Sequence, residues 1–141
     1  MRDLINNIDL KRAISPAAAV ADNTPIVSQI LDRIGVEAVA LAIILGDMAD
    51  ADATFAVTLV HGDAPDLSDA AAVPADQMNG SLALAGFNFA NDNAIRKLGY
   101  LGGKRYVRAT ITPSNNTGNV YVSAVWILGK LNMRPTGNPP S

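Results

Sequence analysis

The chain has a single histidine, His61, and this residue limits the acid–base chemistry that the sequence could support. A histidine that acts as a catalytic base works with a nucleophile and an orienting carboxylate, and the nucleophilic serine of many hydrolases lies in a Gly-x-Ser-x-Gly motif. The sequence contains no such motif. We therefore predict that His61 is a structural residue at the end of a strand, that the chain has no catalytic residues, and that it is not an enzyme.

The segment Gly99–Lys104 is rich in glycine and ends in a lysine, as do loops that bind phosphate groups. A phosphate loop of the form G-x-x-x-x-G-K-[ST] would need one more residue before the lysine, a Ser or Thr after it, and a helix to follow. Here Arg105 follows Lys104, and the next residues alternate as in a strand. We predict that Gly102 and Gly103 allow a tight turn with positive φ, and that no cofactor binds.

Oxygen ligands for a divalent cation could come from two groups of aspartates, which are Asp47, Asp50 and Asp52, and Asp63, Asp66 and Asp69. Carboxylates suit Ca²⁺, but an EF-hand loop also needs a glycine at its turn and a terminal glutamate that binds through both oxygens. Neither group has this spacing. We predict that both groups lie in solvated loops and that the chain holds no metal ion.

The segments that must position these residues look like β-strands. From Arg105 to Thr112 the side chains alternate in character with the period of two that puts successive residues on opposite faces of a strand. A second run, Gly118–Gly129, is rich in β-branched and aromatic residues, and turn-forming residues separate the two runs. We predict that Leu98–Pro113 and Gly118–Gly129 form a central antiparallel hairpin.

Further strands are predicted at Thr24–Leu31, Val36–Leu45, Thr54–His61, Leu82–Phe89 and Ala94–Tyr100. The apolar residues from Val27 to Leu41 also fit helical spacing, but Gly35 and the β-branched residues favour two strands there. Val36–Leu45 is apolar at both parities and is predicted to be a central strand that is apolar on both faces.

Two loops are predicted between these strands. Gly46–Ala53 is one of them. Asp63–Ser81 is acidic, rich in alanine and interrupted by proline and glycine, so we predict a long surface loop. It has at most one helical turn, near Pro74–Met78, where proline is tolerated at the first helical position.

About seven or eight short strands with turn signals between them, and no long helices to pair with them, predict an all-β fold. The preferred form is an antiparallel β-sandwich, jelly-roll-like, with extended N- and C-terminal arms. With 141 residues, the chain is near the usual size of one domain. We predict an N-terminal arm at residues 1–23, a β-sandwich domain at 24–130 and an extended C-terminal tail at 131–141.

Composition limits the compartment and the kinds of partner. The chain has no cysteine and forms no disulfide, which fits a reducing compartment. The most apolar run, Val36–Leu45, is about half of the roughly 20 residues that a membrane helix needs. The first ten residues show no export signal. We predict that no membrane is a partner.

Acidic and basic residues are segregated along the chain, although the net charge is only −2. Between Asp47 and Asp76 there are seven aspartates and no Lys or Arg, while every charged residue after Asp92 is basic. Either the fold interleaves these segments within one chain, or the acidic loops of one subunit face the basic strands of a neighbour. The acidic balance, with only Tyr100 and Tyr106 to stack among the basic residues, argues against nucleic acid as a partner.

The segment Gly99–Arg108, which reads GYLGGKRYVR, and the apolar strand that follows it resemble small structural proteins of tailed bacteriophages, of the capsid decoration (cement) type. The beginning Met-Arg-Asp-Leu and the stretch Ala21–Pro25 are similar to that group as well. The resemblance implies a structural virion protein that binds and stabilises the assembled capsid, with the major capsid protein as its partner. It also implies a homotrimer on the capsid surface of the virion, assembled in the host cytoplasm.

Six charged or aromatic residues are the candidates for such an interface, and they are Lys104, Arg105, Arg108, Tyr121, Trp126 and Arg134. Trp126 is expected to be a core or interface anchor whose ring N–H finds an acceptor. The alternative functions are a phage tail or neck component, or a glycan-binding β-sandwich module. Exposed aromatic rings around Trp126 or Tyr121 would favour glycan binding, whereas a flat interface with ordered termini would favour assembly.

Overall fold

Two antiparallel β-sheets form a sandwich in the computed structural model of the protein, which describes residues 2–134, 136 and 137. In chain order the strands are β1 Asp9–Ile14, β2 Ile26–Val27, β3 Leu31–Asp32, β4 Val36–Met48, β5 Thr54–Gly62, β6 Ala71–Ala72, β7 Met78–Asn79, β8 Phe87–Asn88, β9 Ile95–Tyr100, β10 Tyr106–Ser114 and β11 Val120–Leu131. Sheet I has the strand order β1-β11-β4-β9-β7. Sheet II has the order β2-β10-β5-β6, with β3 also paired to β10 and β8 paired to β5.

The strand order is that of a jelly roll, so the predicted all-β antiparallel sandwich is confirmed. The long strands β4 and β5 fall in different sheets, and so do β9 and β10, and β10 and β11. A jelly roll made from two Greek keys has this alternation, because most connections cross from one sheet to the other. Strands that are neighbours within a sheet are therefore distant in sequence.

The predicted central hairpin is wrong, because β10 and β11 belong to different sheets. β10 pairs along its whole length with β5, while β11 pairs with β1 and β4. The connection between them is held by Asn116, whose side-chain amide donates to the carbonyl oxygens of Val20 and Asp22. It is also held by Thr117, whose backbone N–H and hydroxyl donate to Asp50. These contacts carry the chain across the gap of about 10 Å between stacked sheets.

The predicted central strand at Val36–Leu45 is present as β4, which lies between β11 and β9 and continues to Met48, so the loop expected from Gly46 begins at Ala49. Its inward residues are buried, and they are Val39, Leu41, Ile43 and Leu45. Residues of the opposite parity are exposed or half-buried, and they are Ala38, Ala40, Ala42 and Ile44. The prediction of a central strand that is apolar on both faces is confirmed, and the two-layer sandwich buries only its inner face, because the outer side of each sheet meets solvent.

The core lies between the sheets and is built mainly from aliphatic side chains. The alternations predicted for β5 and β10 are confirmed. The inward residues of the long strands of sheet II are Phe55, Val57, Leu59, Val107, Ala109 and Ile111, and those of β11 are Val122, Ala124, Trp126 and Leu128.

The predicted strand at Leu82–Phe89 is wrong in its first half, where Leu82–Ala85 forms a short α-helix, α1. The Ser81 side chain accepts a hydrogen bond from the backbone N–H of Leu84 and caps the helix. Leucine and alanine favour helices, so a short apolar run of these residues fits a helix as well as a strand, and the Ser81 cap favours the helix. In the described part of the chain, no helix has the length and hydropathy needed to cross a membrane.

Three further predictions of secondary structure are confirmed. Thr24–Leu31 and the residues after it form the short strands β2 and β3 and no helix. Within the acidic loop, Ala75–Gln77 forms one turn of 3-10 helix, inside the segment Pro74–Met78 where a helical turn was expected. Ala94–Tyr100 contains β9, as predicted.

The described ends of the chain contact each other. β1, which falls within the segment predicted to be an arm, is an edge strand paired with β11. An Arg134 Nη1 hydrogen bond of 2.9 Å reaches Asn7 Oδ1. The Thr136 hydroxyl lies 3.0 and 2.8 Å from the carbonyl oxygens of Ile5 and Ile8. The other residues of the predicted tail beyond 134, namely 135 and 138–141, lie outside the described residues.

Candidate functional site

The distinctive segment Gly99–Arg108 forms a polar cluster around Tyr100, which is 2% exposed. The Tyr100 hydroxyl accepts a hydrogen bond of 3.1 Å from the backbone N–H of Lys104 and lies 2.7 Å from His61 Nδ1. When His61 is neutral, the hydroxyl donates to the lone pair of Nδ1, which places the imidazole proton on Nε2. The two rings meet edge to face with centroids 5.7 Å apart. The cluster ties the end of β5 to the connection between β9 and β10.

Gly102 is required by this cluster for a steric reason. A Cβ atom at Gly102 would lie 2.4 Å from the Tyr100 hydroxyl oxygen, whereas a Cβ atom at Gly103 would have no neighbour within 4 Å. Among the described glycines only Gly35 and Gly80 have positive φ. The expectation of a tight turn with positive φ is therefore wrong, and the glycine instead lets the backbone pass close to a buried ring.

The basic residues that follow are paired within the same chain. Lys104 Nζ lies 3.0 Å from Asp63 Oδ2, and Arg105 donates two hydrogen bonds, of 2.8 and 2.9 Å, to the carboxylate of Asp32. These bonds lower the pKa of Asp63 and of Asp32. The acidic segment and the basic strands are thus interleaved in one chain at Lys104 and Asp63. Because all four side chains are about half exposed, such pairs add little stability.

The environment of His61 favours its neutral form. Burial lowers the pKa of His61, and the charge of Lys104 lowers it further, while Asp63 and Asp69 act in the opposite direction. Between the usual histidine pKa of about 6.5 and the lower value in the fold, the unfolded chain binds a proton that the folded chain does not. His61 therefore contributes stability that is complete above about pH 6.5 and is lost as the pH falls through this window.

We expect the free energy of unfolding of the wild type to fall more than that of His61→Gln when the pH is lowered from about 7.5 to about 5.5, as measured by urea denaturation. The glutamine variant has no imidazole to protonate. The aspartates with lowered pKa values, such as Asp63, take up protons only below about pH 4, so they do not change the stability between pH 5.5 and 7.5. Equal losses in the two proteins would contradict the assignment.

Aspartates of the acidic segment accept hydrogen bonds from nearby backbone groups. Asp50 accepts bonds from Thr117 and from the backbone N–H of Asp52. Asp69 accepts bonds from the backbone N–H groups of Asp63 and the residue after it. In the ranges that the structure describes, no three His, Cys, Asp or Glu side chains lie close enough to hold a metal ion. The hydrogen bonds give these carboxylates a role in turns.

Trp126 is a core residue with 1% of its surface exposed. Its ring Nε1 is buried and has no hydrogen-bond partner among the described residues, so the expected acceptor is not observed. Tyr121, on the same strand, is 50% exposed. The two rings therefore do not form the exposed aromatic platform that stacking on a sugar requires.

Arg105 and Arg108 differ in their surroundings, as expected for residues of opposite parity. Arg105 precedes β10 and is exposed, whereas Arg108 is half-buried on the outer side of β10. The Nε of Arg108 is buried and unpaired within the described part of the chain. Because this atom is buried, a contact of Arg108 with another molecule would have to use the other two nitrogens of its guanidinium.

The outer side of sheet I is a broad apolar surface. We call it the apolar face and define it by outward residues of β1, β4, β9 and β11, which are Leu10, Ala38, Ala40, Ala42, Ile44, Ile95, Tyr121, Val125 and Ile127. The exposed fractions of its largest side chains are 39% for Leu10, 49% for Ile44 and 67% for Ile95. Cross-strand pairs place Leu10 beside Ile127 and Ile127 beside Ala40, so the surface is continuous.

The apolar face is wide. A strand spacing of about 4.8 Å and a rise of about 3.4 Å per residue give about 14 Å by 27 Å, or about 400 Å², for four strands from Ala38 to Gly46. Exposed apolar patches of a few hundred Å² commonly mark interaction sites. One side of the face has a shallow depression of about 300 Å³, lined by Ala40, Asn79, Gly80, Lys97, Leu98 and Gly99.

The sequence contains a signal for this exposed face. β4 is apolar at both parities, and β11 is largely so. In a sandwich of two sheets only one parity can be buried, and the other must be exposed. Two-sided apolar strands within a predicted two-layer fold therefore indicate an exposed apolar face.

A groove of about 520 Å³ lies between β1 and β3 and has a polar rim. Its lining residues include Asp9, Lys11, Arg12, Gln29, Asp32 and Trp126. Because Trp126 is 1% exposed, its ring offers no stacking surface in this groove.

Comparison with known proteins gives a fold and no family. No protein family and no curated protein matches the sequence. Among solved structures, the chain is similar to a chain in the capsid of Ralstonia phage GP4, with a TM-score of 0.52 and 9% identity over 92% of this chain and 88% of that chain. At this identity the similarity shows a shared fold, and a fold alone does not assign a function.

Two structures that contain carbohydrate-binding modules match the chain at lower TM-scores. The structure of the CBM22-1 and GH10 modules of Clostridium thermocellum xylanase 10B with xylohexaose matches 92% of this chain at a TM-score of 0.46 and 11% identity, and the chain spans only 27% of the length of that structure. The xylan-binding module CBM15 matches 93% of this chain and 95% of its own length at a TM-score of 0.41 and 11% identity.

Proposed function

We propose that the chain is a structural virion protein that binds and stabilises the assembled capsid of a bacteriophage, as a decoration protein. The observation that carries the proposal is the apolar face. A wide exposed surface of about 400 Å² suits a broad contact with another protein. Small ligands, by contrast, bind in concave sites that enclose most of their surface.

Two further features support this function. The segment Gly99–Arg108 resembles decoration proteins, and the sandwich shares its fold with a chain in the capsid of Ralstonia phage GP4. The contact of Arg134 with Asn7 joins the described ends of the chain, as expected for an assembly protein with ordered termini.

A glycan-binding module is the second candidate, and the polar rim of the groove between β1 and β3 is the observation in its favour. The burial of Trp126 counts against it, because carbohydrate stacking needs an exposed ring. A tail or neck component would use the same kind of wide face as a decoration protein, and the position of the protein in the virion distinguishes these two.

The proposed partner of the apolar face is the major capsid protein of the same virion, on the capsid surface, after synthesis of both proteins in the host cytoplasm. We further propose a homotrimer, a number taken from the family resemblance. Arg108 lies half-buried on the outer side of sheet II and forms no ion pair among the described residues, so its guanidinium is our candidate for a separate contact between subunits. A carboxylate of a neighbouring subunit could accept from it.

Co-sedimentation tests the proposed function. The purified protein is mixed with capsids assembled from the major capsid protein of the same genome, and the pellet is analysed for saturable binding. We expect binding to capsids and no heat of binding to xylohexaose in calorimetry. Binding to xylohexaose without binding to capsids would favour the glycan-binding module over the decoration protein. Binding to purified tails alone would assign the protein to the tail or neck.

A further inference from the structure

We infer that the apolar face is occupied by a different protein surface, apolar at its centre with carboxylates on two opposite sides, and not by a second copy of this chain. The inference rests on the proposed function, in which that surface belongs to the major capsid protein. It specifies the chemistry of the partner surface and separates capsid binding from self-association.

The two charged residues that end the middle row of the apolar face are both basic. Arg12 on β1 pairs with Val125 on β11, Val125 with Ala42 on β4, and Ala42 with Lys97 on β9. Arg12 and Lys97 thus end the same row across the sheet, about 14 Å apart at a strand spacing of about 4.8 Å. Neither forms an ion pair within the residues that the structure describes. The row has an apolar centre between two available cations.

A second copy would place like charges opposite each other. Two identical faces pack about a two-fold axis that lies between them. If the axis runs along the strands, Arg12 faces Lys97 of the other copy. If it runs across the strands through the same row, Arg12 faces Arg12 and Lys97 faces Lys97. Both arrangements bring like charges together at the border of a dry contact, which is unfavourable.

Sliding the two copies does not remove this conflict without losing contact area. The nearest outward acidic residue is Asp47, which lies beyond the bulge in β4 and accepts a hydrogen bond from Asn93. Five residues along β4 separate Asp47 from the row of Lys97, or about 17 Å at a rise of about 3.4 Å. A pairing that brings Asp47 to Lys97 overlaps only about half of the face, so most of the apolar contact is lost.

A different protein can cover the whole apolar face and also place opposite charges beside Arg12 and Lys97. Carboxylates on two sides of its contact surface can pair with Arg12 and Lys97, and charge complementarity of this kind favours the right partner over a wrong one. The short side chains of Ala38, Ala40 and Ala42 let an apolar partner approach the sheet closely. The depression beside Lys97 and Gly99 can receive a projecting apolar side chain.

Site-specific photocrosslinking tests the inference. Benzoylphenylalanine replaces Tyr121 on the apolar face or, as a matched control, the exposed Thr112 on the outer side of sheet II. The protein is irradiated alone and with capsids of the same phage. We expect position 121 to crosslink to the capsid protein and not to a second copy, and position 112 not to crosslink to the capsid protein.

Charge reversal gives an independent readout. Arg12→Glu and Lys97→Glu are each expected to weaken capsid co-sedimentation by about tenfold at low salt, with an unchanged oligomeric mass in light scattering. Lys130→Glu, at an exposed basic position on β11 outside this row, should bind like the wild type.

The possible results separate this inference from the proposed function. A crosslink between two copies from position 121, with capsid binding unchanged in Lys97→Glu, would overturn the inference and leave capsid binding intact. A capsid crosslink from position 112 alone would do the same. Failure of the wild type to sediment with capsids would overturn the proposed function, and the inference with it.

Discussion

Replacing Trp126 by alanine is expected to lower the free energy of unfolding by about 3–5 kcal/mol, which corresponds to a fall in Tm of roughly 10–20 °C for a chain of this size. The indole is 1% exposed and belongs to the core cluster between the two sheets. Its removal leaves a cavity that strands held by ladder hydrogen bonds can fill only in part. Urea denaturation and thermal melting measure the loss.

Two matched variants identify the cause of this loss. Trp126→Phe keeps most of the ring and removes an N–H that has no acceptor among the described residues, so it should lose less than half of what the alanine variant loses. Tyr121→Ala removes a ring from the same strand that is 50% exposed, and a change within about 0.5 kcal/mol is expected. If Trp126→Ala were as mild as Tyr121→Ala, the indole would lie outside the core, and the glycan-binding alternative would regain support.

A second large effect is expected at Tyr100. Tyr100→Ala should cost about 3–5 kcal/mol, because it deletes a buried aromatic ring. Tyr100→Phe keeps the ring but leaves the Lys104 N–H and His61 Nδ1 without their shared partner, at a cost of about 1–3 kcal/mol. Urea denaturation near neutral pH separates packing from hydrogen bonding. A phenylalanine variant as stable as the wild type would show that the hydroxyl contributes nothing.

A substitution at Gly102 tests whether the backbone at this position packs against the ring of Tyr100. Gly102→Ala should destabilise the wild type, because the new Cβ would lie 2.4 Å from the Tyr100 hydroxyl oxygen. The same change in the Tyr100→Ala background should cost much less, since the clashing ring is gone, and the difference is a coupling free energy. Gly103→Ala, where a Cβ meets no atom within 4 Å, is the control. Equal costs in both backgrounds would place the strain elsewhere.

The Tyr100 cluster lies in the segment that resembles decoration proteins. The segment Gly99–Arg108 is organised around a buried tyrosine, and this explains the position of Gly102. Lys104 and Arg105 remain interface candidates, but their side chains already pair with Asp63 and Asp32 of the same chain. A partner that used them would have to compete with those pairs. The apolar face has no such competition.

The positions of the strands could be predicted from the sequence because the signal is local. Alternation with a period of two needs only neighbouring residues, and it correctly located the strands at Thr54–His61 and Ala94–Tyr100 and the alternation of β10. It failed at Leu82–Phe89, where a run of Leu and Ala fits a helix equally well and the Ser81 cap decided the outcome.

The pairing of strands depended on contacts that no local pattern contains. The connection after β10 could have closed a hairpin, but Asn116 bonds to Val20 and Asp22, and Thr117 bonds to Asp50, so the chain crosses to the other sheet. Likewise, the glycine at 102 looked like a turn residue, because nothing in the sequence shows that the ring of Tyr100 lies against it.

The apolar residues of the apolar face can be recognised in the sequence, but their exposure depends on the tertiary structure. β4 is apolar at both parities, a pattern that a strand covered on two faces and a strand with one exposed apolar face share. Only the number of layers distinguishes them, and that number is a property of the whole chain. With two sheets, Val39, Leu41 and Ile43 face the core, and the alanines between them face solvent. The row from Arg12 to Lys97 exists because strands distant in the sequence lie side by side in sheet I.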